Sequence, residues 1–191
     1  MKIHFQVNRF LLVSLFALFG CRQDSQIPLN DDLRLVPGVG VVGYCEVDMR
    51  VKEVKRNCLD VRLISGPDCN KKYMYEIPDW GIWFTARRGK PIGGLTIEVV
   101  SSTKSIHPFR GSVDGGVSFS SGAVGRESVI KVFGPPVLFG TNSFAVFPDP
   151  TDAVSICFPE LSLERLYYPD RGIGFMLKTN IIETIYIAPP R

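Results

Sequence analysis

The chain has 191 residues, 22 Lys and Arg against 19 Asp and Glu, a formal net charge of +3, and 45% hydrophobic residues. That balance excludes the strong basic field that steers nucleic-acid-binding domains to phosphate, and the length supports one sizeable core or two small ones. The basic clusters are short, Lys52, Lys55 and Arg56 on one segment and Arg87, Arg88 and Lys90 on another, and they read as solvated faces.

The first twenty residues read as a secretory signal. MKIHFQVNRF carries Lys2 and Arg9 and no acid, and FLLVSLFALFG follows as an unbroken run of apolar and small residues from Phe10 to Gly20. A charged start followed by a short apolar stretch is exported, and such a stretch is too short to span a bilayer, which takes about 20 helical residues. The run ends in LFGC, which resembles a bacterial lipobox: Leu18 at the branched position, Gly20 before the cut and Cys21 as the lipidated residue, with Phe19 larger than the pattern prefers. Cleavage without lipidation would leave a secreted protein instead. The resemblance implies a mature chain that starts at Cys21 and carries acyl chains, each buried methylene contributing about 0.8 kcal/mol of membrane affinity. Arg22, rather than Asp, after the cysteine is similar to lipoproteins sorted to the outer membrane. Removing residues 1–20 leaves 20 basic against 19 acidic side chains, a net charge of +1. Residues 21–36 begin polar and contain Pro28, so they read as a tether from lipid to domain, with a reach of roughly 50 Å when extended.

GVGVVG, residues 38–43, formally matches the G-x-G-x-x-G of dinucleotide-binding loops. Such a loop needs a strand before it, a helix opening at its last Gly and an acid about 20 residues on. Asp60 stands near that distance, but Pro37 precedes the first Gly and no alternating strand–helix pattern follows. The glycines are therefore expected to make a tight turn, and no nucleotide or other cofactor is expected. Cys45, Cys58, Cys69 and Cys157 remain once Cys21 is taken by lipid. Four cysteines in an oxidising compartment allow three pairings. Cys58 with Cys69 across a short loop, and Cys45 with Cys157, are favoured; four reduced thiols stay open as the alternative. No C-x-x-C occurs, so the usual spacing of a zinc or thioredoxin-like site is missing.

Val47, Val51 and Val54 at i, i+4 and i+7 predict an amphipathic helix. KYMYEIP then leads into PDWG, GIWFTA alternates as a strand, and GGLTIEVV closes a hairpin. After SIHPF, with His107 in a linker, the pattern returns. Val129, Val132 and Phe133 form a helical stripe stopped by GPP at 134–136, and ERLYYP, PDRG, GIGFML and IIETIYIA follow. IPDWGIWF (77–84) aligns with YPDRGIGF (168–175), and Ile92, Leu95 and Ile97 align with Ile182, Ile185 and Ile187. Gly89 and Asn180 sit at the intervening turns, where both residue types tolerate positive φ. Upstream, Val39, Val51 and Val54 fall over Val117, Val129 and Val132. The expectation is an α+β chain of two tandem repeats, residues 37–105 and 106–191, each a helix followed by an antiparallel three-stranded sheet.

A Gly-led helix ending in G-P, then Y-x-x-x-x-G-I-x-F and a final I-x-I strand, resembles the unit of the BamE/SmpA and β-lactamase-inhibitor-protein group. That group consists of secreted or lipid-anchored bacterial proteins, and its usual second helix per unit is missing from this pattern. The resemblance implies a binding or assembly role without catalysis.

The chemistry-bearing residues are sparse. His107 is the lone histidine after residue 20, and no G-x-S-x-G elbow accompanies it. Asp79 and Asp170 lie in the two P-D-x-G turns, and a turn role is expected in preference to paired catalytic carboxylates. No metal-ligand spacing is present. Trp80 and Trp83 replace Arg171 and Gly174 of the second copy. Alternation puts Trp83 on the sheet face opposite Ile82 and Phe84. Trp80, Trp83, Tyr73 and Tyr75 are therefore the expected partner-binding face, with burial between two packed sheets as the alternative reading. The function expected is that of a non-catalytic, lipid-anchored envelope protein, a module that binds or assembles another envelope protein. An inhibitor of a secreted enzyme is the alternative, and a hydrolase a more distant one. No nucleic-acid partner is expected.

Overall fold

The computed structural model describes residues 27–58, 60–100, 107–138 and 164–190. The signal segment, Cys21 and Cys157 lie outside the described residues. In chain order the strands are β1 Arg34–Val36, β2 Gly40–Val41, β3 Cys45–Glu46, β4 Arg62–Ser65, β5 Lys72–Ile77, β6 Ile82–Arg87 and β7 Leu95–Glu98, followed by β8 Ser112–Val113, β9 Val117–Ser118, β10 Val137–Leu138, β11 Glu164–Tyr168, β12 Ile173–Lys178 and β13 Ile181–Ile187. Helix α1 spans Val51–Asn57 and α2 spans Arg126–Phe133. Neither described helix is long and apolar enough to cross a membrane.

The chain is thus mixed α and β, dominated by strands. A small sheet runs β3-β2-β1-β8-β9 and a large eight-stranded sheet runs β10-β11-β12-β13-β7-β6-β5-β4. The expected helix-plus-three-strand unit is not what forms. Four strands follow each helix, because β4 and β10 add to the outer edges, and both sets of four join into one sheet through the antiparallel β7–β13 pair.

That central pairing is symmetric in register. Leu95 pairs with Ile187 and Ile97 with Ile185, while Thr96 faces Tyr186. Leu95 corresponds in sequence to Ile185 and Ile97 to Ile187, so a local two-fold axis passes between Thr96 and Tyr186. In the small sheet β1 and β8 run parallel, with Leu35 beside Val113. The ion pair between Arg34 and Asp114 and the Asn30 side chain, bonded to the Pro108 carbonyl and the Arg110 N–H at 2.9 Å each, hold these strands together.

The helices correspond in a register that differs from the valine alignment. Met49 O accepts from Ile92 N–H, and Val124 O accepts from Ile182 N–H, each at 2.9 Å. This equates Arg50 with Gly125, the two residues before the helices, and hence Val54 with Val129. Both of those valines are fully buried. The error is one helical turn: valines recur every three or four residues, so a sequence overlay can slip by that interval. Helix α1 is short and depends on its ends. Glu53 accepts the Arg50 backbone N–H at 2.7 Å, and Lys55 and Arg56 sit in the last turn, where the helix dipole favours cations. In α2, Gly134 at φ 81° ends the helix, as GPP predicts.

The two P-D-x-G turns fold alike. Pro78–Trp80 and Pro169–Arg171 are single 3-10 turns, closed by Gly81 N–H to Pro78 O at 3.3 Å and Gly172 N–H to Pro169 O at 3.0 Å. Gly81 and Gly172 then adopt φ 64° and 63°. The GVGVVG stretch folds as hairpin turns linking β1, β2 and β3, with Gly38, Gly40 and Gly43 all at positive φ. Its glycines therefore connect antiparallel strands and do not open a helix.

One core fills the space between the small sheet, the helices and one face of the large sheet. Phe84, Phe109, Phe119 and Phe175 are its largest fully buried side chains. Burying each such ring contributes about 1.5–3 kcal/mol.

Candidate functional site

Side-chain parity divides the large sheet into two faces. On β6, Ile82, Phe84 and Ala86 are buried in the core, and directly paired residues share their face. The ladder therefore places Ile77, Tyr75 and Tyr73 on the inner face, opposite Ile82, Phe84 and Ala86 respectively. Tyr75 stacks on Phe84 at 5.4 Å between centroids, with Lys55 of α1 5.7 Å from the Tyr75 ring. Phe133 of α2 packs on Phe175 and Tyr168 at 5.6 and 5.2 Å, which fixes the same face for the other half of the sheet.

Trp83 lies on the outer face, as alternation requires. Its neighbours across the strands form one row: Glu76, Trp83, Thr96, Tyr186, Gly174 and Tyr167. From Trp83 onward large and small residues alternate along it, and the small ones, Thr96 and Gly174, are buried. A Cβ on Gly174 would come within 3.2 Å of the Tyr167 ring, so the glycine makes room for its neighbour. Met176 lies one step along β12 on the same face, and its sulfur accepts from the Tyr186 hydroxyl at 3.8 Å. Burial raises the Tyr186 pKa, keeping the hydroxyl protonated as a donor. Trp83 is half-buried, and its indole Nε1 is shielded from solvent with no acceptor among the described residues. A buried N–H without a partner costs about 1–3 kcal/mol.

The sequence-derived aromatic group is thus divided. Trp83 stands on the outer face. Trp80 is 4% exposed and belongs to the core, edge-on to Tyr44 at 5.7 Å, because the 3-10 turn points it inward. Tyr73 and Tyr75 belong to the inner face. The outer face instead recruits Tyr167, Tyr186, Met74 and Met176, which sequence reasoning missed. Alternation carried the signal: Tyr186 sits between Ile185 and Ile187, and Tyr167 between Leu166 and Tyr168.

Other candidates stay apart. His107 is exposed, and its backbone N–H donates to Pro78 O at 2.9 Å. Asp79 and Asp170 are exposed on their 3-10 turns. No group of three or more His, Cys, Asp or Glu residues suited to a metal occurs among the described residues. Cys45 and Cys58 are buried thiols and Cys69 is an exposed one. Comparison with protein-family models, curated proteins and solved structures finds no match to this chain.

Proposed function

We propose that the chain is a lipid-anchored envelope protein, tethered at Cys21, whose folded part binds another envelope protein through the outer face of its large sheet. On this reading the fold arose by duplication of one helix-and-strand unit, and the second copy exchanged a tryptophan for Gly174. The observation that carries the binding role is Trp83: a large, half-buried ring on the face of the large sheet away from the helices. Aromatic side chains flanked by methionine are typical anchors of protein interfaces.

The test is capture of a partner from envelope extract by the full chain, beside Trp83→Phe and Cys21→Ser. Trp83→Phe trims the indole to a single ring and removes part of its contact area, so affinity should fall about tenfold. Cys21→Ser should leave binding intact and release the protein from the membrane fraction. Equal capture by native protein and Trp83→Phe would reject the role assigned to the indole. Membrane retention of Cys21→Ser would reject the anchor.

A further inference from the structure

We propose that Cys45 and Cys58 form a disulfide, tying strand β3 to the C-terminal end of helix α1. Both cysteines are buried members of the same core, at 0% and 4% exposure. Cys58 immediately follows the last residue of α1, and its Sγ donates to the Tyr44 carbonyl at 3.6 Å. Tyr44 directly precedes Cys45, so covalent geometry places the Cys58 sulfur within roughly 6–7 Å of the Cys45 Cα. The charge of a Cys58 thiolate opposes ionisation of Cys45, in keeping with their closeness. Disulfides span Cα separations of about 4.4–6.8 Å, and closing this one asks the Cys58 sulfur to turn from the Tyr44 carbonyl to the Cys45 sulfur. Cys69 offers no such approach: it is exposed in the β4–β5 loop, where Asp68 accepts the Asn70 and Lys72 backbone N–H groups at 2.8 Å each.

The timing follows from burial. Thiolates are the attacking species, and burial pushes Cys58 up to about 12. The folded dithiol is therefore a poor nucleophile, and the bond forms during folding, while both thiols are exposed. One thiolate attacks a disulfide oxidant and expels a thiolate; the second attacks the mixed disulfide and expels the other. Two protein thiols are oxidised, one disulfide is reduced, and the two protons end on the released thiols. The presence of such an oxidant in the cell rests on the envelope reading; the pairing does not.

The experiment refolds the denatured, reduced full chain in glutathione buffer, blocks remaining thiols with N-ethylmaleimide and maps tryptic peptides by mass spectrometry. The peptide 35–50 should be joined to 57–62, in the native sequence and in C21S/C69S/C157S, which retains this pair alone. Cys58 joined to any other cysteine, or Cys45 and Cys58 both alkylated in refolded protein, would overturn the pairing. A bond made on refolding but missing from protein alkylated directly in cells would support the pairing and overturn the envelope reading.

Discussion

Gly81 and Gly172 show how a single residue fixes a turn. Each is left-handed, and each lacks space for a side chain: a Cβ on Gly81 would meet His107 O at 2.7 Å and Glu98 O at 2.9 Å, and one on Gly172 would strike Ala188 O. Alanine at either site should cost about 2–4 kcal/mol, from positive φ plus the displaced backbone. Gly89 has φ 73° but nothing within 4 Å, so Gly89→Ala should cost only about 1 kcal/mol. Urea denaturation of the three variants separates the two terms. The buried thiols give a second test at this scale. Burial raises Cys45 and holds Cys58 at about 12, whereas unfolded thiols ionise near pH 8.5. Below pH ~8.5 both states keep their protons and the thiol contribution is fully present. Above it only the unfolded state releases them, so stability of the reduced protein falls toward pH 12, by up to about 1.4 kcal/mol per pH unit per thiol. Tyr75, Tyr168 and Tyr186, also raised by burial, add the same sign at higher pH. Urea midpoints between pH 8 and 11 in reductant, compared with those of oxidised protein, isolate the thiol part. A flat reduced profile would contradict the burial of these thiols.

Among the elements, the helices carry the sharpest prediction. If Val54 and Val129 are equivalent, Val54→Ala and Val129→Ala should each cost about 2 kcal/mol, while Val51→Ala and Val132→Ala, on half-buried side chains, should cost under about 1 kcal/mol. In thermal melts, matched costs for Val51→Ala and Val129→Ala, and for Val54→Ala and Val132→Ala, would instead support the valine overlay. The overlay shows where sequence reading stopped. The six longer strands from Lys72 to Ile187 were legible, because alternation over four or more residues identifies a half-buried strand. Strand β4 was not, since all four of its residues are exposed and its register shifts by a bulge. The small sheet was not legible either, because strands of two or three residues hold no period. Trp83 was placed on the outer face by parity, yet Tyr73 and Tyr75 were grouped with it wrongly. Counting across the turn would have corrected this: Ile77 pairs with Ile82, which puts the odd-numbered residues of β5 beside the even-numbered residues of β6.

For the whole molecule, the small sheet, both helices and the core lie on one side of the large sheet, and the row from Trp83 to Tyr167 lies on the other. That second face is unevenly covered: Thr96 and Met176 are 5% and 9% exposed, while Trp83, Tyr167 and Tyr186 are half-buried. The proposed binding role would make that face specific, so position matters more than the presence of a partner. The most direct measurement is site-specific photo-crosslinking in intact cells, with a photoreactive side chain placed in turn at Trp83, at Tyr167 and at Lys52, an exposed residue of α1. The expected result is one envelope protein joined to the chain from positions 83 and 167 and not from 52. Crosslinks from 52 alone, or none from 83 and 167, would contradict the outer face as the binding surface.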